Sequence, residues 1–165
     1  PENRIAELNE IRSKYWIGRG YNLGDTSLGI KGRIGFEAAA ATMLIGAHRE
    51  LEKLVLSGKQ LFWKETLGNL YGSLLHEGSF FDPLARDLEA FLESSQRCVT
   101  GSARVRIRPG NMLVEGVSSP FSLMNSGVAS YGEEGRAWSG DDAEGFCKLF
   151  GLSQMLVAKS QGVEP

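Results

Sequence analysis

The stretch from Trp16 to Glu37 constrains the fold most, because glycine recurs through it at short intervals and its apolar residues show no helical period. Glycine is favoured where the backbone needs a positive φ or approaches another group closely. From Gly29 onward the residues alternate between two faces. One face carries Ile30, Gly32, Ile34 and Phe36, and the other carries Lys31, Arg33 and Gly35. This stretch therefore predicts a glycine-rich β-ribbon on a helical layer.

The composition narrows the class of protein. A chain of 165 residues with 42% hydrophobic content is typical of one soluble domain with a single core. The net charge of −2 argues against a nucleic-acid partner, and no apolar run approaches the ~20 residues that span a bilayer. Cys98 and Cys147 form no paired motif, so we expect a reducing cytoplasm. Because the chain begins at Pro1 and enters a helical pattern at once, we expect a segment of a longer polypeptide.

Apolar residues spaced by three and four predict four helices before residue 98. These cover Glu2 to Lys14, Ala38 to Leu56, Lys59 to Leu75, and a helix capped by Asp82 that runs to about Arg97. On the second of them the predicted apolar stripe comprises Leu44, Ala47, His48, Leu51 and Val55. Gly78 suits a left-handed helix end, and Pro83 suits a first helical turn.

The period then changes from that of a helix to that of a strand. Residues 99–108 alternate apolar side chains with Arg104, Arg106 and Arg108, and Pro109-Gly110-Asn111 supplies a turn into residues 112–117. We interpret the arginines as a solvated outer face rather than a phosphate platform, since the chain has no basic bias. Residues 118–140, including Tyr131, predict an ordered surface loop. Ser139 and Asp142 then predict a capping box for a last helix.

These elements together predict an α+β fold. We expect the ribbon and the hairpin to form an antiparallel sheet on which the helices of residues 38–97 pack, because helices and a hairpin follow one another without βαβ alternation. The C-terminal helix is expected to protrude. The predicted organisation is a main region at residues 1–140 and an oligomerisation helix at residues 141–165 of the same domain.

General catalytic and metal-binding motifs are missing from the sequence. It contains no P-loop, no GxSxG and no paired cysteine site, and GRGYNLG has the wrong spacing for a dinucleotide loop. His48 and His76 form no metal motif, so we predict no metal site and interpret His48 as a packed histidine. The residues alone therefore indicate an α+β domain without a stated activity.

Longer motifs resemble one family. The run IGRGYNLGDTSLGIKGRIGFEAAAATMLIGAHRELEKL is similar to the start of the C-terminal half of argininosuccinate synthases. The resemblance continues through FWKETLGNLYGSLLHEGSFFDPLARDLEAFLESSQRCVTGSARVRI, PGNMLVEGVSSPFSL and YGEEGRAWSGDDAEGFCKL. These matches keep the order and segment lengths of the family over nearly the whole chain.

The resemblance implies the substrate-binding and oligomerising half of an AMP-forming ligase that joins citrulline and aspartate to argininosuccinate in arginine biosynthesis. In that family, ATP forms a citrullyl-AMP intermediate, and a SGGLDTS-type loop in an N-terminal domain binds the pyrophosphate. Because this chain has no such loop, ATP with its Mg2+ is expected to bind mainly to that other domain. The segment alone is expected to be inactive and to contribute no catalytic residue, and the partners implied are citrulline, aspartate, ATP and the other subunits of a homotetramer.

The resemblance also places a citrulline site. Aligned on GIKGR, the family's acidic citrulline contact falls on Gly24, with Asp25 beside it, and its tyrosine falls on Phe36. Lys31 and Arg33 keep a basic pair of the family as candidate supporting residues, although a salt bridge at the strand end is an equally ordinary role for them. Because side chains alternate along a strand, Asp25 replaces the missing acid only if a bulge at Gly24 turns it. Two functions stay open: an active ligase, and an assembly module or ligase-like protein with an altered pocket.

Overall fold

The computed structural model describes residues 2–27, 29–124 and 138–163. The described elements, in chain order, are α1 Glu2–Tyr15, β1 Arg19–Ser27, β2 Ile30–Glu37, α2 Ala39–Val55, α3 Gly58–His76, α4 Pro83–Gln96, β3 Ser102–Arg108, β4 Asn111–Ser118 and α5 Gly140–Ser160. The chain divides into two compact units, residues 1–123 and 124–165, and each is described by itself. Most of the predicted loop at residues 118–140, including Tyr131, lies outside the described residues.

The α+β class with antiparallel strands and a C-terminal helix is confirmed. The expectation that ribbon and hairpin share one sheet is wrong, because the described strands form two separate two-stranded sheets, β1-β2 and β3-β4. Alternation along a strand specifies its two faces but not the strand that lies beside it. Here α2 packs against both strands of the hairpin, and each strand of the ribbon pairs with its sequence neighbour.

The core is built around α2. Its buried side chains include Ala40, Met43, Leu51 and Val55, which are spaced for one helical face. The predicted stripe is correct at Leu51 and Val55, whereas Leu44 is 49% exposed and lies outside the core. Ala85 and Leu88 of α4 complete the buried set in the same unit, together with Ile17, Ala39 and Leu56.

Gly18 joins the ribbon to the start of α2. Its φ is +74°, and a Cβ added there would lie 2.5 Å from the Cα of Ala39. This distance is too short for two carbon atoms that are not bonded, so no side chain fits at this position. The Ala38 N–H donates to the Gly18 carbonyl at 2.8 Å. Glycine is therefore required here both for its backbone conformation and for the close approach, and the contact fixes where β1 begins.

The predicted helix ends are confirmed. Asp82 Oδ1 accepts from the Leu84 N–H at 2.9 Å with Pro83 in the first turn, and Gly78 has a φ of +76° just after α3. Ser139 and Asp142 form the predicted capping box, with the Asp142 N–H donating to Ser139 Oγ at 3.3 Å. These local signals depend on residues close in sequence, which is why sequence patterns predict them well.

The central part of the hairpin formed by β3 and β4 has the predicted alternation of apolar side chains and exposed arginine side chains. Val105 and Ile107 are half-buried, while Arg104, Arg106 and Arg108 are exposed. Arg106 Nε lies 2.5 Å from Glu115 Oε1 across the two strands.

Within the described residues, no helix is both long enough and apolar enough to cross a membrane.

Candidate functional site

The ribbon formed by β1 and β2 holds all the sequence-predicted site residues. The two strands are antiparallel and in regular register from the pair Arg19 and Glu37 to the pair Asp25 and Lys31. The register shifts only after Asp25, before Ser27 pairs with Ile30. Because directly opposed residues project from the same side of a sheet, this register sorts the side chains onto two faces.

One side, which we call the charged face, consists of Arg19, Tyr21, Leu23, Asp25, Lys31, Arg33, Gly35 and Glu37. Lys31 Nζ lies 2.6 Å from Asp25 Oδ1, and Arg19 Nε lies 3.1 Å from Glu37 Oε1. The Arg33 guanidinium carbon lies 4.4 Å from the centre of the Tyr21 ring, a cation–π arrangement. The ionic groups on this face are therefore engaged across the strands.

The other side, which we call the neutral face, consists of Gly20, Asn22, Gly24, Gly32, Ile34 and Phe36. Phe36 lies over Gly20, since a Cβ added at Gly20 would be 2.8 Å from the end of the Phe36 ring. Even so, Phe36 remains 50% exposed and Ile34 59% exposed. The neutral face thus offers an open apolar surface beside two paired glycines, Gly24 and Gly32.

The predicted citrulline-contact positions do not share a face. Gly24 and Phe36 lie on the neutral face, whereas Asp25, Lys31 and Arg33 lie on the charged face. Gly24 pairs directly with Gly32 and the irregularity falls after Asp25, so the bulge that would turn Asp25 towards the site is not at Gly24. The salt-bridge alternative for Lys31 is confirmed by its contact with Asp25.

Asn22 is a residue that the sequence reasoning missed. It pairs with Ile34 on the neutral face, and its Nδ2 would lie 3.2 Å from a Cβ added at Gly24. The carboxamide therefore covers the position from which an acidic side chain at residue 24 would start. The signal was available in the sequence, because alternation extended back along β1 places residues 20, 22 and 24 on one side.

A second polar cluster lies away from the ribbon, around Glu52 of α2. The Glu52 carboxylate is 2% exposed, and Gln96 Nε2 donates to its Oε1 at 2.8 Å. His48 Nε2 lies 2.8 Å from Gln96 Oε1. The interpretation of His48 as a packed residue is wrong, because it sits at the edge of the α2 stripe with 47% of its side chain exposed. This cluster links helices and stands apart from the predicted site.

Comparison with known proteins identifies the family. A family model described as the arginosuccinate synthase C-terminal domain matches residues 2–157. The argininosuccinate synthase of Xanthomonas campestris is 42% identical over 155 residues, which cover 94% of this chain and 38% of that protein. The argininosuccinate synthase of Dictyoglomus thermophilum is 39% identical over 158 residues, covering 96% of this chain and 40% of that protein.

A third relative extends the match along the chain. The argininosuccinate synthase of Carboxydothermus hydrogenoformans is 37% identical over 161 residues, covering 98% of this chain and 40% of that protein. The chain thus spans roughly two fifths of the length of the curated relatives it matches. From the family match and these identities, the chain belongs to the argininosuccinate synthase C-terminal domain family.

Proposed function

We propose that this chain is the substrate-binding and oligomerising part of an ATP-dependent ligase that joins citrulline and aspartate to argininosuccinate in arginine biosynthesis. The observation that carries the proposal is the family match over residues 2–157, which includes the whole ribbon. A cytoplasmic homotetramer is part of the same proposal.

The proposed reaction has two steps. The ureido oxygen of citrulline attacks the α-phosphate of ATP, and pyrophosphate leaves to give citrullyl-AMP. The aspartate amine then displaces AMP and forms the new carbon–nitrogen bond. ATP and its Mg2+ are assigned to the N-terminal domain of the whole protein, because the sequence of this chain has no pyrophosphate-binding loop.

The role proposed for this chain is to bind and orient citrulline on the neutral face. Phe36 and Ile34 supply exposed apolar contact there, and the paired Gly24 and Gly32 add no side chain of their own to that face. No residue of this chain is proposed to be catalytic, so the chain by itself is expected to release no pyrophosphate.

A second candidate is a non-catalytic assembly module or a ligase-like protein with an altered pocket. It is favoured by the position of Asp25, whose carboxylate pairs with Lys31 on the charged face and is turned away from Phe36. It is also favoured by Phe36 itself, which has no hydroxyl group to donate a hydrogen bond to a substrate. Both observations describe a site that differs from the one implied by the resemblance.

The test is pyrophosphate release by the full-length protein with ATP, Mg2+, aspartate and either citrulline or N-acetylcitrulline. We expect turnover, and we expect Asp25→Asn to change kcat/KM for either substrate by less than about twofold, because Asp25 is an exposed ion-pair residue on the charged face. We expect Phe36→Tyr to raise kcat/KM for citrulline roughly two- to tenfold through one added hydrogen bond. Absence of pyrophosphate release with both substrates would contradict the ligase proposal and leave the assembly alternative, and a large loss in Asp25→Asn would contradict the site.

A further inference from the structure

We infer that Asn22 is the polar side chain of the neutral face that contacts the substrate, and that it selects a neutral acylated amine over a free ammonium group. This inference rests on the proposed ligase function, because it places the substrate on the face that carries Gly24 and Phe36. The substrate class it names is an N-acylated citrulline.

The position of Asn22 is the first observation. Along β1 it lies between Gly20, which is covered by Phe36, and Gly24, which its own carboxamide covers. A ligand lying between Phe36 and Gly24 therefore passes the Asn22 amide. The carboxamide nitrogen lies 3.2 Å from where a Cβ at residue 24 would be, so Asn22 presents a polar group beside the start of any side chain there.

The charge of the surface is the second observation. Among the described side chains of β1 and β2, every ionisable group lies on the charged face, and Asn22 is the one polar side chain on the neutral face. Asp25, the nearest carboxylate along the strand, is turned to the other side and held 2.6 Å from Lys31. A ligand ammonium on the neutral face would thus meet no carboxylate from this chain's described strands.

The chemistry of the carboxamide then decides the preference. An ammonium group is bound best by a carboxylate, because charge-assisted hydrogen bonds are about twice as strong as neutral ones. A carboxamide offers one acceptor and two N–H donors without charge, which match the N–H and C=O of an acylated amine. The acyl carbon atoms would also lie against the exposed ring of Phe36 and the methyl groups of Ile34.

The experiment compares substrate preference in Asn22 variants of the full-length protein. Pyrophosphate release is measured with citrulline and with N-acetylcitrulline for the wild type, Asn22→Asp and Asn22→Ser. We expect the wild type to use N-acetylcitrulline at least as well as citrulline. Asn22→Asp should shift the ratio of the two kcat/KM values about tenfold towards citrulline, because it restores a carboxylate to the neutral face.

Two controls separate contact with substrate from disruption of the ribbon. Asn22→Ser keeps a small neutral polar group, so it should lower both kcat/KM values while the ratio continues to favour N-acetylcitrulline. Tyr21→Phe changes the neighbouring residue on the charged face and keeps the ring over which Arg33 lies, so it should leave the ratio unchanged. A shift in Tyr21→Phe equal to that in Asn22→Asp would overturn the inference.

Equilibrium binding keeps this inference separate from the proposed function. Calorimetry with citrulline and N-acetylcitrulline, without ATP, measures the same preference in a protein that does not turn over. If pyrophosphate release is absent but Asn22→Asp shifts the binding ratio towards citrulline, the ligase proposal fails and the role of Asn22 stands. An unchanged ratio in both measurements, or no binding of either compound, overturns the inference.

Discussion

Lys64 of α3 holds its ammonium nitrogen 2.8 Å from the Glu52 carboxylate of α2, although Glu52 is only 2% exposed. Gln96, at the end of α4, donates to the same carboxylate. A buried charge is tolerated when it is paired and hydrogen-bonded, and here the partners come from two other helices. The contact therefore ties α2, α3 and α4 into one unit.

We predict that Glu52→Gln lowers the free energy of unfolding by about 3 kcal/mol, since it leaves Lys64 without its buried partner. Lys64 keeps 22% of its side chain exposed, which places the loss at the lower end of the usual range. The matched control is Glu50→Gln, two residues away on α2, where Glu50 forms an exposed pair with Lys53. That change should cost less than about 1 kcal/mol by urea unfolding, and equal losses in the two variants would contradict the prediction.

Gly18→Ala should destabilise the chain strongly. The added methyl group would meet the Ala39 backbone at 2.5 Å, and the residue would keep a left-handed φ that costs about 1–3 kcal/mol outside glycine. Gly72→Ala is the control, because Gly72 lies within α3 with nothing near its added Cβ. It should stabilise by about 0.5–1 kcal/mol through helix propensity. The melting temperatures of the two variants are measured by thermal unfolding. A shift of both in the same direction would argue against the close contact at Gly18.

The start of α5 should respond to acid. The hydroxyl of Ser139 donates to Asp142 Oδ2 at 2.7 Å, and together with the Ser139 backbone N–H it lowers the pKa of Asp142 below 3.8. Since the folded pKa is depressed, the stabilisation is present above the unfolded value and is lost as the pH falls through the folded pKa. The stabilisation of helix α5 by this cap should therefore be complete above about pH 4, the ordinary range of an Asp carboxyl, and should decline as the pH falls further.

Carboxyl NMR of Asp142 measures this directly. Ser139→Ala should raise the pKa of Asp142 part of the way back to its ordinary value, because the side-chain donor disappears while the backbone N–H remains. Asp142→Asn should remove the acid-dependent loss of helix α5. A pKa of Asp142 that does not move in Ser139→Ala would refute the assignment of the shift to this hydroxyl group.

Removing residues 141–165 from the full-length protein should lower its mass in solution below that of the proposed homotetramer. No residue of α5 is buried within the described structure, although Phe146 and Phe150 stack at 5.4 Å and Leu149 is 74% exposed. An exposed apolar helix of this kind is suited to a protein interface. The control is Lys148→Gln, which alters an exposed ion pair with Glu144 on the same helix. An unchanged mass after the deletion would contradict the prediction.

Local patterns predicted the helices well and the partners of the strands poorly. Asp82, Gly78 and Ser139 act on neighbours within a few residues, so their effects could be derived without coordinates. The separation of ribbon and hairpin depends on how α2 meets β3 and β4, a contact between parts distant in sequence. Hydrophobic spacing cannot specify such contacts.

The candidate site was predictable only in part for a related reason. Alternation along β2 correctly predicted that Phe36 lies on the opposite face of the ribbon from Lys31 and Arg33. Whether Asp25 faced the site depended on the position of one register irregularity, which no residue pattern in the ribbon marks. Alternation along β1 predicts the face on which Asn22 lies, but its position beside Gly24 also depends on its side-chain conformation, which the sequence does not specify.

The register irregularity after Asp25 has a consequence for how this ribbon can change its length during evolution. If one residue gained or lost between Asp25 and Lys31 were taken up by the strands sliding a single position, rather than by the turn or a bulge, the faces of one strand would be exchanged. Phe36 would then share a side with Arg19 and Tyr21 rather than with Gly20. Gains or losses of two residues keep every side chain on its present side. Single-residue changes in the connection should therefore be absorbed by the turn or by the irregularity after Asp25, which leaves the two faces as they are.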